Sequence, residues 1–180
     1  MNTKENNTRN KIIDCAYELI KRESCTNITA RKIAKEGGLS LGLISYHFDS
    51  VDEIIYLAMK RMIDHAISIF SEKITQQNNQ EQRINAILSL IYDLSWNTNE
   101  NLVLSYELYA ISSRNEYFKP LIKYWMDNSH HVLSTAFEPS AAKCIDVLIE
   151  GITLHNFFDT NRIPREHAKI LIQSCIAIRS

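Results

Sequence analysis

Residues Ile28–Ile55 read I-T-A-R-K-I-A-K-E-G-G-L-S-L-G-L-I-S-Y-H-F-D-S-V-D-E-I-I, and this stretch decides the fold. It carries two helix starts separated by a glycine pair. Thr29 is a good N-cap, and Ile28 before it is placed to pack on Ile33 as a hydrophobic staple. Gly37 and Gly38 are expected to supply the left-handed residues that end this helix after Glu36. Ser40 then caps a second helix, Leu41–Phe48. Two helices joined by a short glycine turn form a helix-turn-helix, whose second helix enters the DNA major groove.

Helical periodicity sorts the second helix into two faces. At about 100° per residue, Ile44 and Phe48 share the buried side, while Gly42 and Tyr46 stack opposite with Leu43 and Ser45 beside them. Glycine at 42 removes bulk where a phosphate backbone must come close. The Tyr46 hydroxyl can donate to a phosphate oxygen, and His47 at the edge of the buried face can reach another. Thr29 and Ala30, at a helix N-terminus, are expected to attract phosphate, with Ser40 at the second start. Arg31, Leu41, Leu43 and Ser45 are placed for base edges, Arg31 pairing with guanine and Leu43 touching a thymine methyl. Tyr46 or His47 alone reads as an ordinary surface residue. Beside Gly42 on a capped second helix, the pair points to DNA contact.

The pattern T-x-R-x-I-A-x-x-x-G-x-S-x-G-x-I-x-Y-H-F, followed by S-x-x-E-I, resembles the N-terminal domain of TetR-family transcriptional regulators. Here it comprises Thr29, Arg31, Ile33, Ala34, Gly38, Ser40, Gly42, Ile44, Tyr46, His47, Phe48, Ser50, Glu53 and Ile54. The likeness covers about residues 8–66, a third of the chain; beyond it only length and helical character agree. The resemblance implies a homodimer joined through a four-helix interface of the last two helices of each subunit, on a double-stranded DNA operator. Two positions depart from the family: Val51 stands where members usually have a phosphate-touching Lys, and Leu41 where many have a polar or basic residue. Phosphate contacts are then expected to be fewer, or to come from Lys4, Arg9, Lys32 and Lys35.

Composition is compatible with this reading without requiring it. The 180 residues suffice for one or two domains and a substantial core. Four glycines and three prolines leave little punctuation, so long helices are expected. The net charge of −1 argues against a nucleic-acid binder. Its distribution leans the other way: residues 1–50 hold eight Lys and Arg against six Asp and Glu, the remainder twelve against fifteen. No segment is apolar enough to span a membrane, and the polar start is no signal peptide, so a cytoplasmic protein with reduced thiols is expected. Cys15, Cys25, Cys144 and Cys175 form no C-x-x-C pair and read as small buried residues. His130 and His131 diverge on a helix, and His65, His155 and His167 lack a partner three or four residues away. Neither a metal nor a cofactor is expected, and no phosphate loop or nucleophile motif suggests an enzyme.

The expected fold is all-α, with about nine helices: a DNA-binding domain over residues 1–50 and a ligand-binding and dimerisation domain over 51–180. The first helix spans about Thr8–Glu23; the fourth opens on the capping box Ser50–Glu53 and reaches about Thr75. Further helices are expected at about Gln80–Trp96, Asn99–Ser112, Tyr117–Phe137 and Ala141–Phe158, with a last one started by Pro164. The final two are apolar on more than one stripe, which demands cover on two sides and favours a partner subunit over a monomer.

Half of the sixteen aromatic residues fall within residues 92–125. Aromatics with polar tips suit an apolar cavity that orients a ligand by a few hydrogen bonds. Trp96, Tyr106 and Trp125 are the expected walls, with Tyr92, Tyr109 and His155 behind them. The ligand would be small and largely apolar or aromatic, or a cation if Glu107 faces inward. The function read from the sequence is a sequence-specific regulator, a repressor released from its operator by a small molecule. The alternative is a DNA-binding protein that takes no small ligand and acts through protein contacts.

Overall fold

The computed structural model describes residues 3–93 and 98–177, with side chains from Glu5 onward. Among them are nine α-helices and no strand. In order these are α1 (Thr3–Ile20), α2 (Ala30–Gly37), α3 (Leu41–His47), α4 (Val51–Thr75), α5 (Gln80–Tyr92), α6 (Asn99–Arg114), α7 (Lys119–Ser134), α8 (Pro139–Phe158) and α9 (Arg165–Ala177). Two 3₁₀ turns, Cys25–Asn27 and Glu116–Phe118, precede α2 and α7. The chain divides into two compact units, Met1–Asp64 with Val103–Ile122, and His65–Leu102 with Lys123–Ser180.

Local chemistry sets most boundaries in the first unit. Thr29 is extended at φ −135°, and its side chain accepts the Lys32 N–H. Ser40 accepts the Leu43 N–H at 3.2 Å in the same way. Ser50 accepts the Glu53 N–H at 3.1 Å, while the Glu53 carboxylate reaches back one residue further than a capping box requires, to the Asp49 N–H at 3.1 Å. Ile28, Ile33, Ile44 and Phe48 are all buried, so the helical faces lie where their periodicity puts them.

One glycine behaves otherwise than its sequence suggests. Only Gly38 is left-handed, at φ 60° and ψ 37°. Its neighbour Gly37 remains within α2, and a Cβ there would meet Cys15 Sγ and the Leu39 side chain at 3.0 Å. Gly37 is therefore small because α1 passes close, and Gly38 alone turns the chain.

In the second unit, a buried cluster joins α4, α5, α7, α8 and α9 through Ile74, Ile87, Leu88, Leu133, Ile145 and Ile172. Pro139 opens α8 at its first turn, where a missing N–H leaves no bond unmade. No helix among the described residues is long and apolar enough to cross a membrane.

Candidate nucleic-acid interface and effector cavity

The α3 helix presents a bare polar and apolar face. Tyr46 is 71% exposed and Leu41 44%, and a Cβ added to Gly42 would meet nothing within 4 Å. Nothing inside the chain requires glycine at 42, which leaves the space outside the helix open for a backbone to approach. The Tyr46 hydroxyl lies 3.4 Å from a Glu5 carboxylate oxygen, and its ring meets His47 edge-on at 5.0 Å. Leu43 is half-buried, and the Ser45 hydroxyl turns back toward the Leu41 carbonyl at 3.4 Å. Thr29, Arg31 and Ser40 are exposed and Ala30 half-buried. The ten residues expected to face DNA thus all lie on α2, α3 and their caps within one unit.

The nearby cations are divided. Arg9 on α1 donates to the His47 carbonyl at 2.6 Å and to Glu53 at 2.8 Å, with its guanidinium 4.2 Å above the Phe48 ring. Lys32 is paired with Glu23, and Arg22 with Glu36 at 2.8 Å. Arg31 and Lys35 are exposed and have no ion-pair partner among the described residues. Arg9 is therefore a brace rather than a free phosphate ligand. The sequence offered little sign of this, because its partners lie 38 and 44 residues away.

A second feature sits wholly within the other unit. A partly open cavity of about 50 Å³ is lined by Ala66, Ile67 and Phe70 of α4, Leu90 of α5, Trp125 and Ser129 of α7, and Asp146, Ile149 and Glu150 of α8. Two rungs join α7 to α8 at its wall. The Trp125 indole N–H donates to Glu150 at 3.1 Å, and the Ser129 hydroxyl donates to Asp146. Asp146 is only 6% exposed, and burial pushes its carboxyl above the ordinary value, against the pull of the Ser129 bond.

Of the residues expected to frame a ligand, Trp125 lines this cavity. Tyr92 instead gives its hydroxyl to the Ile163 carbonyl at 2.8 Å, and burial raises that hydroxyl's pKa. His155 is exposed on α8. Tyr106 and Tyr109 are half-buried on α6, in the first unit. Trp96 lies outside the described residues. Glu107 does not face this cavity; it accepts the Ser24 hydroxyl at 3.1 Å and the Cys25 N–H at 2.9 Å, closing the turn before α2. Sequence reasoning passed over Asp146, Ser129 and Glu150. Their signal was a carboxylate inside the apolar run Ala141–Ile149, and two pairs at i, i+4 spacing, Trp125 with Ser129 and Asp146 with Glu150.

No family model matches the chain. It is 21% identical over 179 residues to the HTH-type transcriptional regulator BetI of Brucella melitensis, covering 95% of this chain and 90% of that protein. It is 24% identical over 180 residues to the HTH-type transcriptional regulator PksA of Bacillus subtilis, covering 91% and 85%. Among solved structures, SCO7518 of Streptomyces coelicolor A3(2) superposes with a TM-score of 0.89 at 29% identity, covering 95% of this chain and 99% of that one. The multidrug binding protein EbrR, solved with ethidium, gives 0.82 at 19% identity over 95% and 99%. SCO1917 of Streptomyces coelicolor A3, a TetR-family member, gives 0.77 at 18% identity over 95% and 99%. With its capped helix pair and bare second helix, the chain is similar nearly end to end to helix-turn-helix transcriptional regulators and shares the fold of a TetR-family member.

Proposed function

We propose that this chain is a homodimeric repressor that reads a near-palindromic operator with two copies of α3 and is released when a small molecule enters the second unit. The observation that carries the DNA reading is the α3 face itself. Leu41, Gly42 and Tyr46 stand open while Ile44 and Phe48 fill the core behind them. In this arrangement Thr29, Ala30, Ser40, Tyr46 and His47 hold phosphates, and Arg31, Leu41, Leu43 and Ser45 meet base edges. Residues 1–50 supply the contact to DNA and 51–180 the dimer and ligand sites. That role places the protein in the cytoplasm.

Dimerisation is supported by apolar side chains left in solvent on α8 and α9. Val147, Leu154 and Phe158 are 62, 42 and 71% exposed, and Ile170 and Leu171 are 58 and 43%. On α8 they follow a seven- then four-residue spacing, which aligns them with Gly151 on one face. A stripe of this kind on a soluble chain marks an interface. Two copies joined there would set their α3 helices about one DNA turn apart, roughly 34–36 Å.

Ligand control is supported by the cavity beside Trp125 and by EbrR, a protein of this fold solved with ethidium. Binding would favour a dimer geometry that no longer matches successive grooves, a coupling of about 1–3 kcal/mol. One observation favours a second reading, a DNA-binding protein answering to protein contacts alone. The cavity holds about 50 Å³, a third of the roughly 150 Å³ in which benzene is known to lodge. A ligand of that size would have to displace Phe70 or Ile149.

Light scattering on the eluting protein and gel-shift titration of its own upstream DNA test the proposal together. A dimer at micromolar concentration, with an affinity that Tyr46→Ala lowers on every bound sequence, is the expected result. A monomer, or an unchanged affinity in Tyr46→Ala, overturns it.

A further inference from the structure

We propose that the cavity walled by α4, α5, α7 and α8 takes a compact organic cation, its ammonium head on Asp146 and its apolar body against Trp125 and Phe70. This rests on the ligand-controlled reading above and names the chemistry of the ligand. Among the described residues the lining is apolar except for Ser129, Asp146, Glu150 and the Trp125 indole N–H, and it includes no basic side chain. Two of the nine lining residues are acidic, and both stand on one face of α8, four positions apart. A negatively charged corner in an apolar box is the inverse image of a small amine.

Asp146 is the sharper of the two. At 6% exposed it is out of bulk water, and among the described residues its hydrogen-bond donor is the Ser129 hydroxyl. An ionised carboxylate has about four acceptor positions, and leaving them empty in an apolar setting is costly. An ammonium group brings both the missing donors and the opposite charge. Glu150 is already tied to the Trp125 indole, an arrangement that also holds the ring in the cavity wall where its face can meet a cation. Charged neighbours set the balance at Asp146: Lys143 and His130 favour its ionised form, and Glu150 opposes it. Burial outweighs them, so the free carboxyl holds its proton to higher pH than usual, and cation binding should release it. The volume of about 50 Å³ holds the ammonium head, and because the cavity is partly open a short apolar body of a few carbons extends along Trp125 and Phe70 toward its mouth.

Matched probes of one shape and two charges separate this from simple apolar filling. Isobutylammonium chloride and isobutanol are titrated into the full chain carrying Trp96→Phe, which leaves Trp125 as its tryptophan. Sodium chloride controls for ionic strength. Isobutylammonium should shift Trp125 emission and bind at least about tenfold more tightly than isobutanol, the preference a hydrogen bond to a charged group supplies. Its affinity should rise as pH rises through the carboxyl's folded value, read in titrations at matched ionic strength. Asp146→Asn should reduce the preference to about twofold or less while leaving isobutanol unchanged. Equal binding of the two probes overturns the proposal, as does a preference that survives Asp146→Asn, or no binding of either. The wild-type comparison decides the matter even if the variant fails to fold. A gel shift on the same preparation keeps the two readings apart. If a neutral compound releases DNA while isobutylammonium does not bind, ligand control stands and the cation assignment falls.

Discussion

Arg9, near the start of the chain, donates a 2.6 Å hydrogen bond to the backbone carbonyl of His47, the last residue of α3. The same guanidinium grips Glu53 at 2.8 Å and covers Phe48. One side chain thus fixes the end of the recognition helix, the chain that leaves it and the start of α4. Arg9→Met keeps the apolar stem and removes all three polar contacts. Unfolding in urea should show a loss of about 1–3 kcal/mol, with weaker operator binding alongside. A variant of unchanged stability would mean that α3 is held by its core residues alone.

Gly38 and Gly42 should part company on mutation to alanine. Gly38 is left-handed at φ 60°, where a side chain costs about 1–2 kcal/mol, so Gly38→Ala should lower the thermal midpoint. Gly42 is helical with open space around it, and alanine there should leave stability the same or raise it by up to about 1 kcal/mol. Gel shifts on Gly42→Ala should nonetheless show weakened DNA binding, since the added methyl enters the space a phosphate backbone needs. Full affinity in that variant would remove the reason for glycine at 42.

The buried carboxyl of Asp146 gives stability a pH dependence of known sign. Its folded value lies above the ordinary 3.8 through burial, so the folded chain keeps a proton that the unfolded chain has released. Its contribution is fully present below the ordinary value and is lost as pH rises through the folded one. Asp146→Asn abolishes that loss. Thermal melts between about pH 4 and 8 should find the variant more stable than wild type at neutral pH, with the gap closing on acidification. A gap independent of pH would place the charge of Asp146 in contact with water.

Thiol labelling offers a check on the turn before α2. Cys25 is 2% exposed, and burial, reinforced by the neighbouring Glu107 carboxylate, pushes its thiol up to about 12. The thiolate is the reactive form, so Cys25 should resist iodoacetamide at pH 8 until the chain unfolds. Peptide mapping after timed alkylation should find Cys25 modified last. Labelling at the rate of an exposed thiol would show that the Ser24–Glu107 closure opens in solution.

What the sequence disclosed, and what it withheld, follows the reach of each interaction. The helix-turn-helix was legible because Thr29 caps Lys32, Ser40 caps Leu43 and Gly38 turns the chain, all within four residues. The Cys25–Asn27 turn was not, because Glu107 reaches it from 82 residues along the chain. Gly37 looked like a second turn residue, and only the passage of Cys15 explains it. In the second unit, aromatic clustering drew attention to residues 92–125, yet among the described residues named there, Tyr92, Tyr106, Tyr109 and Trp125, it is Trp125 that lines the cavity. Its polar wall comes from the pairing of two antiparallel helices, Trp125 with Glu150 and Ser129 with Asp146. Each helix alone shows a spacing; only their registration makes a site.

The recognition helix is seven residues long, far below the roughly 12–15 at which a helix holds its shape alone in water. Its form is lent by Ser40 at one end, by Arg9 at the other, and by Ile44 and Phe48 beneath. Specificity in this protein is accordingly not portable as a peptide. Grafting Leu41–His47 onto a foreign scaffold should transfer the letters without the shape, whereas exchanging only the side chains proposed to meet base edges, at 41, 43 and 45, should re-address the protein to a new operator and leave its frame in place.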